Sequence, residues 1–263
     1  MAVRKKRRRK KKGMSYQWKL VLSLLVLALL IGGLFVLDWS RRFELEVKRY
    51  PEFGIEIPVD YSLHGIDVSR YQKRINWEEV KAMDIQHIRI SFAFIKATEG
   101  EKDLDLQFKR NWKNARQTGL PIGAYHFFIP SRDPVKQAVN FIKNVRLKPG
   151  DLPPVLDVEQ TNNLPAPVIQ ARSKAWLQLV EQHYGVKPVV YTNADFYEKY
   201  LGKAFDEYPL WVAHYYEKRK PRIKRNWALW QHNDAGHVNG IDANVDFNVF
   251  NGDSVTFRAF LIQ

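Results

Sequence analysis

The chain has 263 residues, a net charge of +14 and no cysteine. That length holds one large domain or two small ones, and the missing cysteine excludes a disulfide framework, a thiolate nucleophile and any cysteine-ligated metal. Ten basic residues and no acid lie in residues 1–19, leaving a net +4 for the rest, so the basicity belongs to a tail and not to the folded part.

The tail, Arg4 to Lys12 with Lys19, is followed by 18 uncharged residues from Leu20 to Leu37. As a helix these would be about 27 Å long, close to the hydrocarbon thickness of a bilayer. Trp18 and Trp39 flank the run at interface depth. The run is longer than the apolar region of a cleaved signal, and no small-x-small site follows it, so an uncleaved signal anchor over 20–37 is expected. The basic tail, 1–19, then stays in the cytoplasm and the rest is exported. Topology alone accounts for the tail, and a nucleic-acid partner is not expected. Residues 38–60 mix charges with Pro51, Gly54 and Pro58 and read as a juxtamembrane linker.

From residue 61 to 263 strand and helix patterns alternate. His64–Ser69 reads as a strand, Asn76-Trp77-Glu78-Glu79 as a capping box opening a helix to Met83, and His87–Ala97 as a second strand. A helix is predicted over 103–117, a strand over Pro121–Phe128, and a helix from Asp133-Pro134 to about Val145. Pro153–Glu159 is the fourth strand and Pro165–Tyr184 the longest amphipathic helix. Strands follow at Lys187–Thr192, Pro209–Tyr215 and Trp227–Gln231, with a final pair around Val245–Val249 and Val255–Leu261. About eight strands with helices thinning out after residue 202 predict an α/β fold, an irregular TIM-like (β/α)-barrel of parallel strands.

In such a barrel chemistry sits at the carboxyl ends of the strands. Asp67, Glu99, Asp157 and Glu159 fall at such ends, and Asp246 lies in the last strand. Tyr125, Trp211, Tyr215 and Gln231 occupy comparable positions. Asp157 and Glu159, two apart on one strand, share a face with Cβ atoms roughly 6.5 Å apart. Paired carboxylates split their pKa values, giving the proton donor and the anion that glycosidic cleavage needs. Taken singly, each of these residues reads equally as a solvated loop group or a core aromatic. Together they make one acid- and aromatic-rich face. No Gly-rich phosphate loop, Walker lysine, HExxH pair or G-x-S-x-G elbow is present, so neither a metal nor a cofactor is expected.

Seven stretches carry a resemblance. They are His64–Ser69 with Tyr71-Gln72 and Ile75-Asn76-Trp77, Phe94–Gly100, Gly123–Phe127, Pro154–Glu159, Leu210–Ala213 with Tyr215, Trp230-Gln231, and Gly240-Ile241 with Val245–Asn248. In this order they resemble glycoside hydrolase family 25, the lysozymes that act as N-acetylmuramidases. Lys73 stands where that family usually has glycine, and Asn76 where it commonly has aspartate.

The resemblance implies hydrolysis of the β-1,4 bond between N-acetylmuramic acid and N-acetylglucosamine in peptidoglycan, by a domain facing the periplasm or exterior of a bacterial inner membrane. It implies Glu159 as general acid, its pKa raised by burial and by Asp157. Asp157 is expected to stay ionised, as nucleophile or as an anion orienting the substrate's acetamido group. Asp67 and Asp246 are expected as floor carboxylates, with Tyr125, Trp211, Tyr215, Glu99 and Gln231 binding sugar. The alternative is an inert module that binds peptidoglycan and holds it to the membrane.

Overall fold

The computed structural model describes residues 14–44 and 47–263. The basic run from Arg4 to Lys12 lies outside the described residues. The chain divides into two units, ending and beginning at residues 45 and 46. The first consists of one helix, α1 (Tyr16–Glu44). Its stretch Tyr16–Ser40 has a mean hydropathy of 3.0 and is the one helix among the described residues long and apolar enough to cross a membrane.

The second unit opens on an antiparallel hairpin, β1 (Val47–Tyr50) and β2 (Ile55–Pro58). The expected linker over 38–60 is therefore corrected: its first part continues α1, and its second is folded. Charged residues at Lys48, Arg49, Glu52 and Glu56 mask an apolar set, Phe53, Ile55 and Ile57, all of which are buried. Phe53 packs edge-on against Phe247 and its carbonyl accepts from His237 N.

Eight strands then close a barrel. β3 (His64–Val68) leads through the short α2 (Trp77–Ala82) and β4 (Asp84–Ile85) to the long β5 (Ile88–Glu99), which β6 (Asp103–Leu104) pairs at its end. α3 (Phe108–Gln117), β7 (Ile122–Phe127), α4 (Pro134–Asn144), β8 (Val155–Asp157) and α5 (Ala166–Tyr184) follow. Next come β9 (Val189–Asn193), the single turn α6 (Ala194–Phe196) and β10 (Leu210–Ala213). β11 (Leu229–Val238), β12 (Ile241–Phe250) and α7 (Ser254–Phe260) complete the chain. The barrel runs β3-β12-β11-β10-β9-β8-β7-β5 and closes by pairing β3 with β5. All neighbours are parallel except those of β12, which is antiparallel to both β11 and β3. The expected barrel is present, with one reversed strand.

Alternation sorts the side chains. Phe92, Phe94, Val155, Val189, Trp211, Leu229 and Phe250 form one buried cluster, filling the barrel. Ile66, Ala93, Ile95, Leu156, Val190, Val212, Trp230 and Phe247 belong to the layer under the helices. Glycine makes room inside: a Cβ at Gly65 would lie 2.3 Å from the Phe92 ring, and one at Gly123 2.4 Å from Phe94.

Three local expectations are corrected. Val255–Leu261 is not a strand, because Asp253 accepts from Val255 N and Thr256 N and starts α7, whose Phe257 joins the barrel filling. The box at Asn76 does not form; the Asn76 amide donates to Glu79 Oε1 instead, and the box lies upstream, with Ser69 and Gln72 capping reciprocally. The helix expected from 103 begins at Phe108, because the Asp105 carboxylate is engaged by Arg70 N and Gln107 N.

Candidate active site

At the carboxyl end of the parallel strands the filling changes from apolar to ionisable. Asp67 from β3, Lys96 from β5, Tyr125 from β7, Asp157 and Glu159 from the end of β8, Tyr191 from β9, Gln231 from β11 and Asp246 from β12 line a cavity of about 280 Å³. The same alternation that puts Phe92 and Phe94 inside puts Lys96 above them. The antiparallel run of β12 sets Asp246 directly opposite Asp67.

Below the acids lies a dry hydrogen-bonded floor. Asp67 Oδ2 accepts from Gln231 Nε2 and Asn248 Nδ2, both at 2.8 Å. Trp211 Nε1 donates to Asn248 Oδ1 at 2.8 Å, and Tyr191 and Tyr215 hydroxyls donate to Gln231 Oε1 at 2.8 and 2.7 Å. Each amide is thereby fixed in orientation. Asp67 also shares a hydrogen bond with Asp246. Burial and the charge of Asp67 push Asp246 up to about 9. Burial raises Asp67 only to about 6, because Asn248, Gln231 and Asp246 all stabilise its anion. Asp246 is therefore the protonated partner and Asp67 the anion at neutral pH.

Asp157 is 6% exposed, and its Oδ1 is buried without a hydrogen-bond partner. Burial first, then the charge of Glu159, holds its pKa well above the usual range, against the opposing pull of Lys96. Glu159, only partly buried, is also raised by desolvation, again opposed by Lys96. Burial thus acts on both carboxyls of the pair, Asp157 being the deeper of the two. Lys96 is the one cation among the described residues that line the cavity. It lies 4.5 Å over the Phe127 ring and 2.7 Å from Glu99 Oε2.

Of the expected residues, Glu159, Asp157, Asp67, Asp246, Tyr125, Trp211, Tyr215 and Gln231 do meet in one cavity. Glu99 does not line it; this acid holds Lys96 from the side. Trp211 is at the floor, 2% exposed, stacked at 4.5 Å on Phe94 with its N–H already used. Its ring nevertheless lines the cavity beside Tyr191 and Tyr215. Sequence reasoning missed Lys96, Tyr191 and Asn248. Each was findable by counting inward positions along its strand from Phe94, Val189 or Asp246. His126 and His232 face outward by the same count, His126 stacking on Trp176 beneath the helices.

Comparison with known proteins agrees with this arrangement. The sequence profile described as Glycosyl hydrolases family 25 matches residues 66–241. The chain is 50% identical over 209 residues to the uncharacterized protein YegX of Escherichia coli O157:H7, covering 80% of this chain and 77% of that one. It is 33% identical over 218 residues to lysozyme M1 of Streptomyces globisporus, covering 77% and 72%. The structure of a family 25 glycosyl hydrolase from Bacillus anthracis superimposes with a TM-score of 0.73 at 31% identity, over 82% of this chain and all of the other. That of the Streptomyces coelicolor lysozyme does so with a TM-score of 0.68 at 31% identity, over 75% and 96%. A closed barrel with one reversed strand, four carboxyls at its mouth and a matching profile over two thirds of the sequence make the chain a glycoside hydrolase, a member of family 25.

Proposed function

We propose that the chain is a muramidase that cleaves the β-1,4 bond between N-acetylmuramic acid and N-acetylglucosamine in peptidoglycan, with Glu159 as proton donor. The observation that carries the reading is Asp157 and Glu159 facing one cavity above the Asp67–Asp246 pair. Asp157 Oδ1, buried and unpartnered, is an acceptor awaiting a donor, and the acetamido N–H of the substrate supplies one. A hydrogen bond to the anion lowers the pKa of Asp157, which favours Asp157 as the anion and Glu159 as the proton donor. The acetamido oxygen, aimed by the N–H that Asp157 accepts, then bonds to the sugar C1 as the glycosidic C1–O bond breaks and Glu159 protonates the leaving oxygen. The Glu159 carboxylate next takes a proton from water as that water opens the ring intermediate, giving retention overall. Tyr125 and Tyr215 border the reacting sugar.

Replacing Glu159 by Gln is expected to lower the release of muramic acid reducing ends from purified peptidoglycan by about 10²- to 10⁴-fold. A variant within tenfold of the parent would remove Glu159 from the role. We further propose that α1 anchors the chain in the bacterial cytoplasmic membrane with the hydrolase outside, on the strength of its uninterrupted apolar stretch.

A further inference from the structure

The cavity of about 280 Å³ takes in only the reacting sugars, so a polymer must continue over the rim. On the β10 side that rim is the segment after Tyr216. Six cations, Lys218, Arg219, Lys220, Arg222, Lys224 and Arg225, stand there against one acid, Glu217. The segment is shaped and tied down at three places. Arg225 reaches the carbonyls of Phe205, Asp206 and Tyr208. The Tyr61 hydroxyl donates to the Arg219 carbonyl at 2.8 Å, and Arg222 N donates to His214 Nδ1 at 3.1 Å. Lys220, Arg222 and Lys224 are exposed. Among the described residues no acid pairs with Lys220 or Lys224, while Arg222 reaches Glu217 at 2.8 Å.

A second cleft, of about 560 Å³, opens at the same end of the barrel. Arg222, Lys224 and His214 line it together with Asp195 and Glu198. Its residues adjoin those of the catalytic cavity along the chain: His214 precedes Tyr215, and Ala194 follows β9 three positions after Tyr191. Cations and acids lining one cleft suit a ligand that carries both carboxylates and an amine. Tyr216, 82% exposed at φ +62°, sets its ring edge-on to Tyr215 of the catalytic cavity.

We propose that this segment and its cleft bind the acidic peptide carried on the lactyl group of a muramic acid, so that the enzyme reads the peptide as well as the glycan. The inference rests on the muramidase reading for the identity of the polymer. Carboxylates of the peptide meet Lys220, Arg222 and Lys224, while its free amine meets Asp195 and Glu198. Because the charges are exposed, the effect is on capture and its salt dependence more than on the chemical step.

The test measures co-sedimentation of the full chain, in detergent and at low temperature, with two preparations of sacculi. One is native; in the other the peptide carboxylates are converted to amides with carbodiimide and ammonia. Native sacculi are expected to hold the chain about three- to tenfold more tightly at low salt, with the difference vanishing at high salt. The variant K220S/R222S/K224S, and separately K220S/K224S, should lose this difference and still cleave amidated sacculi at the parental rate. Equal binding of the parent to both preparations overturns the proposal. So does a variant that keeps the difference, or one that loses as much toward amidated sacculi. If the charge effect instead follows anionic phospholipid vesicles and not peptides, the segment serves a lipid headgroup and the proposal is wrong. Binding is read without turnover, so loss of the peptide effect in a chain that still releases muramic acid ends condemns this inference alone. Peptide-dependent binding without cleavage condemns the muramidase reading.

Discussion

Lys96 decides how the acids of the cavity share their protons. Its ammonium, paired with Glu99, draws down both Asp157 and Glu159, whose burial raises them. Removing the charge leaves burial unopposed, so both groups titrate higher. Lys96→Met is therefore expected to move both limbs of the kcat/KM profile to higher pH, by on the order of one unit, whereas Lys96→Arg keeps the charge and the parental profile. A fall in rate at unchanged limbs would mean that Lys96 merely props Phe127. The acids were legible in the sequence because a charge inside an apolar strand is conspicuous at Asp157. Lys96 was passed over because a lysine between Ile95 and Ala97 reads as the solvent side of an edge. Only the barrel's closure makes that side the interior. Lys73 is the converse case. It stands where the family resemblance expects glycine, and its φ of +54° is one that glycine adopts without strain.

At the scale of elements, the hairpin β1–β2 changes where the hydrolase begins. Phe53, Ile55 and Ile57 belong to the main buried layer, and His237 of β11 donates to the Phe53 carbonyl at 2.9 Å. A chain starting at Glu46 should therefore melt at a higher temperature than one starting at Tyr61. Phe53→Ala should cost about 3–5 kcal/mol in denaturant unfolding, and coincident melting curves for the two chains would show the hairpin to be dispensable. The sequence hid this element because its period-two apolar pattern is only three residues long and lies among charges and prolines. α7 was hidden differently. Val255, Thr256 and Phe257 favour strands individually, but the Asp253 cap and the apolar spacing of Phe257 and Phe260 favour a helix. The long, regular elements, β5, β7, α4 and α5, were readable because periodicity and flanking turn residues agree there.

For the whole molecule the question is whether α1 is an anchor or a signal. If α1 stays in the membrane, the mature chain should retain residues 14–44, resist extraction by carbonate or high salt, and come out only with detergent. Mass spectrometry of the membrane-bound protein checks this, and a soluble product beginning beyond residue 37 would make α1 a cleaved signal instead.

The reversed strand β12 bears on when the protein becomes active. Asp67 lies at the start of the barrel, while its partners Asp246 and Asn248 come from the last strand, Asn248 being 181 positions away. Pairing across such a separation is late by nature, because a long loop must close before any contact offsets its entropy. A nascent chain that has delivered Asp157 and Glu159 thus still lacks the floor beneath them. The site is complete only once β12 has been made and has paired with β3.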